Sequence, residues 1–170
     1  MGPRPVVSPG GRGADGGDIK LWVDGDAAPR DVKEIVFRSA LRLEIEAVLV
    51  ASQRLPLPAN NRFASVVRVD VGPDEADNYI AEHAEPGDIA VTADIPLASR
   101  LVGKGVLTLD PRGTEYSREN IGERLSVRDF MEQVRLTGVD TGGPGAYGQR
   151  DKQSFANALD RTLTRLGRSG

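Results

Sequence analysis

The chain has 170 residues, no cysteine, one histidine and a formal net charge of −3. This length suits one domain with a sizeable core. The composition excludes disulfides, thiol catalysis and any metal site that needs thiolates or two imidazoles. Any bound metal must therefore be held mainly by oxygen atoms, which favours Mg²⁺ or Mn²⁺.

The first segment, residues 1–18, contains six glycines and three prolines and shows no periodicity. Such a segment buries too little apolar surface to offset the entropy of ordering. We therefore predict a disordered tail over 1–18 and a single domain over 19–170. The tail lacks the apolar core of a secretory signal, and no apolar run approaches the roughly 20 residues of a membrane span. These features predict a cytoplasmic protein without membrane contact.

From residue 19 onward, short apolar runs alternate with segments of helical periodicity. Strands are predicted over 19–24, 45–51, 64–71, 87–94 and 105–110. Helices are predicted from about 29 to 43, and over 73–83, 95–105, 126–138 and 149–166. Strands that are apolar on both faces and separated by helices predict a three-layer α/β/α fold with a mainly parallel sheet.

The last two predicted helices have recognisable ends or faces. The helix over 126–138 begins with a Ser-x-x-Asp capping box at Ser126 and ends at Gly138. Its predicted apolar face consists of Val127, Phe130, Met131 and Val134. The closing helix is predicted to direct four apolar side chains inward, namely Phe155, Leu159, Leu163 and Leu166.

Acidic residues cluster around the ends of two predicted strands. Asp24 and Asp26 follow the first strand, and Asp94 follows the strand over 87–94. Asp74 and Asp77 begin the helix before that strand. Ligands of parallel sheets bind at the carboxyl ends of the strands. If the two strands are neighbours, these carboxylates repel one another unless a cation neutralises them. A divalent cation held there can activate water and stabilise charge on a phosphodiester.

Each acid also has a structural interpretation. Asp26 and Asp94 both precede predicted helices and can cap them. Asp74 and Asp77 can form an N-terminal pair favoured by the helix dipole. Asp24 fits this interpretation least, because it ends a buried run and does not directly precede a helix.

A glycine-rich loop, TGGPGAYGQR, precedes the last helix over residues 141–150. Backbone N–H groups of such loops, here those of Gly142 and Gly143, can bind phosphate. A flexible connector is the alternative, because the loop has neither a P-loop nor a dinucleotide-binding motif.

Seven segments, in this order, resemble the YaiI/YqxD family of bacterial proteins. They are WVDGDAAP, DEADNYI, GDIAVTADIPLA, LDPRG, RDFM, TGGP and QRDKQSFANALD. The resemblance extends from about Lys20 to Leu166. The family is PIN-domain-like, which implies a three-layer α/β/α fold and acids gathered at the carboxyl edge of the sheet. It further implies Mg²⁺ or Mn²⁺ as cofactor and cleavage of single-stranded or structured RNA.

The motifs imply a set of site residues. Asp24, Asp77 and Asp94 match the family's acids and would hold the metal, while Asp26 belongs to its Asp-x-Asp motif. The chain departs at Ala28, where many relatives have cysteine, so the site needs no thiol. Arginines within the motifs are candidates for gripping the substrate backbone, because a guanidinium binds phosphate bidentately. These are Arg112, Arg128 and Arg150. For Arg128, an ion pair on the helix surface is the alternative.

The resulting prediction is a metal-dependent nuclease with Asp24, Asp26, Asp77 and Asp94 as catalytic residues and RNA favoured over DNA as substrate. Two other functions stay open. One is a non-catalytic module that binds RNA or nucleotides. The other is a phosphatase with Asp24 as nucleophile and Asp26 as general acid. No pattern in the sequence indicates an oligomeric state.

Overall fold

A computed structural model of the chain describes residues 18–140, 142 and 145–167. The segment predicted to be a disordered tail lies outside the described residues, apart from Asp18. The predicted phosphate-binding Gly143 also lies outside them.

Six strands form one sheet at the centre of the described fold. They are β1 (Lys20–Asp24), β2 (Glu46–Ala51), β3 (Ala64–Arg68), β4 (Ile89–Val91), β5 (Leu107–Leu109) and β6 (Glu115–Tyr116). Their order across the sheet is β3-β2-β1-β4-β5-β6. The first five run parallel and β6 pairs antiparallel with β5. The predicted mainly parallel sheet is confirmed, whereas the two-residue strand β6 was not predicted.

Five helices complete the described fold. They are α1 (Arg30–Leu43), α2 (Glu75–His83), α3 (Ile95–Lys104), α4 (Arg118–Leu136) and α5 (Gln149–Arg165). Helices α1 and α5 pack on one face of the sheet, and α2 and α3 pack on the other. The three-layer α/β/α fold is therefore confirmed.

Strand β1 is buried between the two helical layers. Leu21 and Val23 point into the core formed with α1 and α5, while Trp22 points into the core formed with α2 and α3. Successive side chains of a strand alternate between faces. A central strand covered on both sides must therefore be continuously apolar, as this sequence is.

Helix α4 begins earlier than predicted. Ser117 accepts a hydrogen bond from the N–H of Asn120, and the Asn120 side chain accepts one from the N–H of Ser117. This reciprocal box defines the start of the helix. The predicted start at Ser126 is therefore wrong, and Ser126 lies inside the helix. The predicted end is confirmed, since Gly138 adopts φ +87° just after Leu136.

The predicted apolar face of α4 is also not buried. Val127 and Phe130 are 55% and 64% exposed, and Met131 and Val134 are half-buried. Ile121, near the start of α4, packs against α3. Along the described length of α4, no residue is fully buried, because the cluster with α3 takes in only Ile121 from this helix. By contrast, the inward face predicted for α5 is confirmed, with Leu166 partly buried.

Replacing Ser117 by alanine is expected to lower the free energy of unfolding by about 1 kcal/mol, because the N–H of Asn120 loses its acceptor. The matched variant Ser126→Ala should change it by less than about 0.5 kcal/mol, since Ser126 is an exposed residue inside the helix. Urea unfolding followed by circular dichroism measures both. A larger loss at Ser126 than at Ser117 would contradict the observed start of α4.

Candidate functional site

The candidate site lies where β1 and β4 end side by side. These strands pair in parallel, with Val23 opposite Val91. Asp24 is the last residue of β1, and Asp94 lies three residues beyond the end of β4. Asp77 lies in the first turn of α2, which packs on β1. The two strands are therefore neighbours, which is what the predicted meeting of these acids requires.

Asp24, Asp77 and Asp94, here called the acidic cluster, interact strongly with one another. Burial, together with the charges of Asp26 and Asp94, raises the pKa of Asp24 to about 6. Burial, followed by the charges of Asp94 and Asp24, raises the pKa of Asp77 to about 7. Asp77 and Asp94 also share a side-chain hydrogen bond, which requires a proton on one of the two carboxyl groups. The cluster therefore resists full ionisation near neutral pH.

Asp94 combines both predicted roles. It is the N-cap of α3, where Oδ1 accepts the N–H of Leu97 at 2.8 Å. Its own N–H donates to Oγ1 of Thr92 at 3.0 Å. The cap holds one carboxylate oxygen in place and leaves the other available to the cluster.

Asp26 is placed differently. Its exposed side chain turns towards β2, where Oδ2 accepts the N–H of Ser52 at 2.8 Å. The alternative that Asp26 caps the next helix is wrong, because α1 has Pro29 as its N-cap and no side-chain cap. Asp26 still raises the pKa of Asp24 through its charge. Asp74, the N-cap residue of α2, likewise makes no side-chain cap bond.

A small cavity lies beside Asp24. Its volume is about 10 Å³, close to the space that one water molecule needs. It is lined by Asp24, Ala27, Ala28, Val91, Thr92, Ala93 and Pro111. The cavity thus holds about one water molecule against the Asp24 carboxyl group, and neither Asp77 nor Asp94 lines it.

The polar side chains that line this cavity, Asp24 and Thr92, offer only oxygen atoms, and the other lining side chains are apolar. Carboxylate oxygens suit a hard divalent cation such as Mg²⁺ or Mn²⁺. Within the described ranges, no three His, Asp or Glu side chains are arranged to hold a metal ion as they stand. A cation bound there would favour the ionised form of the carboxyl groups in the acidic cluster and would therefore compete with protons for them.

The predicted phosphate-binding residues mostly have partners within the chain. Nη1 of Arg112 lies 2.9 Å from Oδ2 of Asp151, and Nη2 donates to the carbonyl of Gly145. Arg112 thereby ties the loop after β5 to the start of α5. The N–H of Gly142 donates to Asp140 at 2.9 Å.

The other two arginines lie on helix surfaces. Arg128 pairs with Asp129 at 3.1 Å and Glu132 at 3.2 Å, as the ion-pair alternative predicted. Arg150 is exposed in the first turn of α5 and has no hydrogen bond or ion pair to another described residue.

A larger groove, with a volume of about 390 Å³, lies between α3 and α4. This α3–α4 groove is lined by Ile95, Asn120, Glu123, Arg124, Val127 and Arg128. Ile95 directly follows Asp94, so one residue that lines the groove is the chain neighbour of a residue in the acidic cluster. The guanidinium carbon of Arg124 lies 5.6 Å from the centre of the Tyr116 ring. Arg124 forms no ion pair within the part of the chain that the structure describes.

The sequence analysis did not single out Arg124, Asp88 or Asp110. Asp110 follows β5 at the same edge of the sheet, and it accepts the N–H of Arg112 at 2.6 Å. Asp110 follows an apolar run, as Asp24 does, and this position alone indicates that it lies at the carboxyl edge of the sheet. Asp88 precedes β4 and lies at the opposite edge, where the rule for ligands does not apply. Arg124 could not be placed because the start of α4 was misassigned.

Within the described residues, no helix is both long and apolar enough to cross a membrane.

The family described as "Uncharacterized BCR, YaiI/YqxD family" matches residues 22–165. A UPF0178 protein of Myxococcus xanthus is 53% identical over 148 residues, covering 87% of this chain and 96% of the relative. A UPF0178 protein of Stutzerimonas stutzeri is 52% identical over 153 residues, covering 89% and 99%. On these grounds, the chain belongs to the YaiI/YqxD family.

Proposed function

We propose that this protein is a metal-dependent nuclease that hydrolyses phosphodiester bonds, with RNA preferred over DNA. The observation that carries the proposal is the acidic cluster. Its carboxyl groups come from three segments of the chain and meet at the carboxyl edge of a parallel sheet. The pKa values of Asp24 and Asp77 are raised to about 6 and about 7, so folding with both carboxyl groups ionised costs free energy. Perturbed acids gathered at such an edge are typical of functional sites.

The residues have distinct tasks in this proposal. Asp24, Asp77 and Asp94 would hold Mg²⁺ or Mn²⁺ through their oxygens. When bound, such a cation supplies water activation and stabilises negative charge on the phosphodiester. The backbone N–H of Ala27 holds the Asp24 carboxyl group, and the N–H of Leu97 holds that of Asp94. Asp26, held by Ser52, adds negative charge beside Asp24.

The phosphatase alternative has less support, because it needs Asp26 as a mobile proton donor. One oxygen of Asp26 instead accepts the backbone N–H of Ser52, and its side chain lies on the β2 side. The non-catalytic binding module shares the acidic cluster and the groove with the nuclease. The two differ only in turnover, so an activity assay separates them.

The test is cleavage of labelled single-stranded RNA and DNA by the full chain in Mg²⁺, in Mn²⁺ and in EDTA. The Asp24→Asn/Asp94→Asn double variant is assayed beside the wild type. We expect both strands to be cut only with metal, RNA faster than DNA, and neither by the double variant. If the wild type cuts neither strand in either metal, the nuclease proposal fails and the binding module replaces it.

A further inference from the structure

The α3–α4 groove is bordered by features that suit one kind of ligand. Ile95, the residue after Asp94, lines one side of it, and five residues of α4 line the other side. Its volume of about 390 Å³ lies near the lower end of ligand-binding pockets, which hold roughly 300–1,000 Å³. A single nucleotide unit suits this size better than a duplex. A strand lying in the groove would lead directly to the acidic cluster.

Arg124 supplies an available positive charge in this groove. It is half-buried and lies over the ring of Tyr116, so part of its side-chain freedom is already lost. Arg128 on the same wall is paired with two carboxylates, whereas Arg124 forms no ion pair within the described residues. A restrained, unpaired guanidinium is well suited to bind a phosphate group.

Apolar side chains continue along the same helix. Val127 lines the groove, and Phe130 lies three residues further on, adjacent to it on the helix surface. Phe130 is 64% exposed. The groove itself is not uniformly basic, since Glu123 also lines it. Exposed aromatic rings next to a free guanidinium can nevertheless stack the unpaired bases of single strands. Charge and stacking therefore occur together on one short stretch of α4.

We propose that the α3–α4 groove binds the backbone of single-stranded nucleic acid, with Arg124 contacting a phosphate and Phe130 stacking on a base. This inference rests on the proposed function, because it describes how the substrate strand reaches the acidic cluster. It adds two residues that contact substrate, and it predicts a preference for single strands over duplexes.

The test measures binding in EDTA, where no cleavage is expected, using fluorescence anisotropy of a short labelled single-stranded RNA at several salt concentrations. Arg124→Gln should weaken binding roughly tenfold and lower the slope of log K against log salt by about 1. Arg124→Lys should restore part of the affinity. Arg161→Gln is the matched control, because Arg161 is exposed on α5 at the opposite face of the sheet. It should change affinity less than about twofold, since backbone contacts are local.

Phe130→Ala tests the stacking contact. It should weaken binding of the RNA strand roughly tenfold but leave binding of a base-free strand of equal length unchanged. Unfolding midpoints of all variants, measured by circular dichroism, show whether each remains folded.

Three results would each overturn the inference. The first is wild-type protein that does not bind the strand, and the second is an Arg124→Gln variant that binds it as the wild type does. The third is a dimer that Phe130→Ala dissociates and that RNA does not displace, since the exposed face would then contact a second copy. If the wild type cleaves RNA with metal but Arg124→Gln binds RNA as the wild type does, the groove proposal fails and the nuclease proposal is kept. If Arg124→Gln binds RNA more weakly but the wild type cleaves nothing, the groove proposal is kept and the nuclease proposal fails.

Discussion

Replacing Asp24 by asparagine is expected to reduce metal-dependent cleavage by roughly 100-fold or more and, at the same time, to stabilise the metal-free fold at neutral pH. Even partners that only orient metal ligands cost 10–100-fold when removed, so losing a ligand should cost at least as much. Asparagine keeps an oxygen to accept the N–H of Ala27 but carries no charge. The variant therefore removes the cost of burying a charge, which is the largest cause of the raised pKa, together with the repulsion from Asp26 and Asp94.

The stability gain follows from the raised pKa. Asp24 has a pKa of about 6 in the folded protein against 3.8 for the free side chain. Between these values the folded state binds a proton that the unfolded state has lost, so stability falls as the pH rises from about 4 to 6. Above pH 6 the whole penalty is present. The difference corresponds to about 3 kcal/mol at most, and solvent around the half-buried carboxyl group reduces it to roughly 1–2 kcal/mol.

Urea unfolding in EDTA, from about pH 4 to pH 8, measures this effect. The wild type should lose stability across that range, and Asp24→Asn should show a flatter profile and a higher midpoint at neutral pH. Asp160→Asn is the matched control, an exposed aspartate on α5 at the opposite face of the sheet. It should leave both cleavage and the pH profile unchanged. A loss of stability in Asp24→Asn at neutral pH would show that Asp24 is a structural acid.

The placement of the acidic cluster was predictable from local sequence because a parallel sheet has a simple geometry. Every strand of such a sheet ends at the same edge, so acids that follow strands meet there whenever the strands are neighbours. The sequence predicts that Asp24 and Asp94 each follow a strand. It does not predict that β1 pairs with β4, which depends on how the helices pack across the whole sheet.

Helix α4 shows where local patterns are insufficient. Ser117 and Ser126 both match capping patterns, with Asn120 and Asp129 three residues later. Which of the two serines begins the helix depends on Tyr116, which is the last residue of β6 and is buried against α3. The exposure of Val127 and Phe130 likewise depends on which face of α4 packs against α3, the face that carries Ile121. The groove and Arg124 therefore could not be derived from periodicity.

Asp88 and Asp94 show how one residue type takes different roles at the two ends of β4. Asp88 precedes the strand and is fully buried. Its Oδ1 accepts the N–H of Lys20 at 3.0 Å, and its Oδ2 accepts Nε1–H of Trp22 at 3.0 Å and the N–H of Glu85 at 2.9 Å. All three N–H groups donate to one carboxylate, and those of Lys20 and Trp22 link β1 to the start of β4 at the edge where the parallel strands begin, here called the amino edge. Asp94, in contrast, faces other carboxyl groups.

Asp88→Asn is therefore expected to have the opposite effect on stability from Asp24→Asn. An asparagine amide has one oxygen and one NH₂ group, so whichever way it turns, the NH₂ group meets at least one buried N–H donor. Hydrogen bonds to charged acceptors contribute about 1.5–3 kcal/mol, and a buried donor left unpaired costs about 1–3 kcal/mol, so we expect a loss of roughly 3 kcal/mol. Urea unfolding followed by the fluorescence of Trp22, the only tryptophan, measures it.

Cleavage by the folded Asp88→Asn variant should stay within about twofold of the wild type, because Asp88 lies at the edge opposite to the acidic cluster and carries no task in the reaction. The pair of variants thus separates the two edges of the sheet. Loss of activity with a gain in stability identifies the carboxyl edge as the site, whereas loss of stability with retained activity identifies the amino edge as structural. Equal losses of activity and stability in both variants would mean that the acids of the two edges share one structural role, which would contradict the assignment of the site.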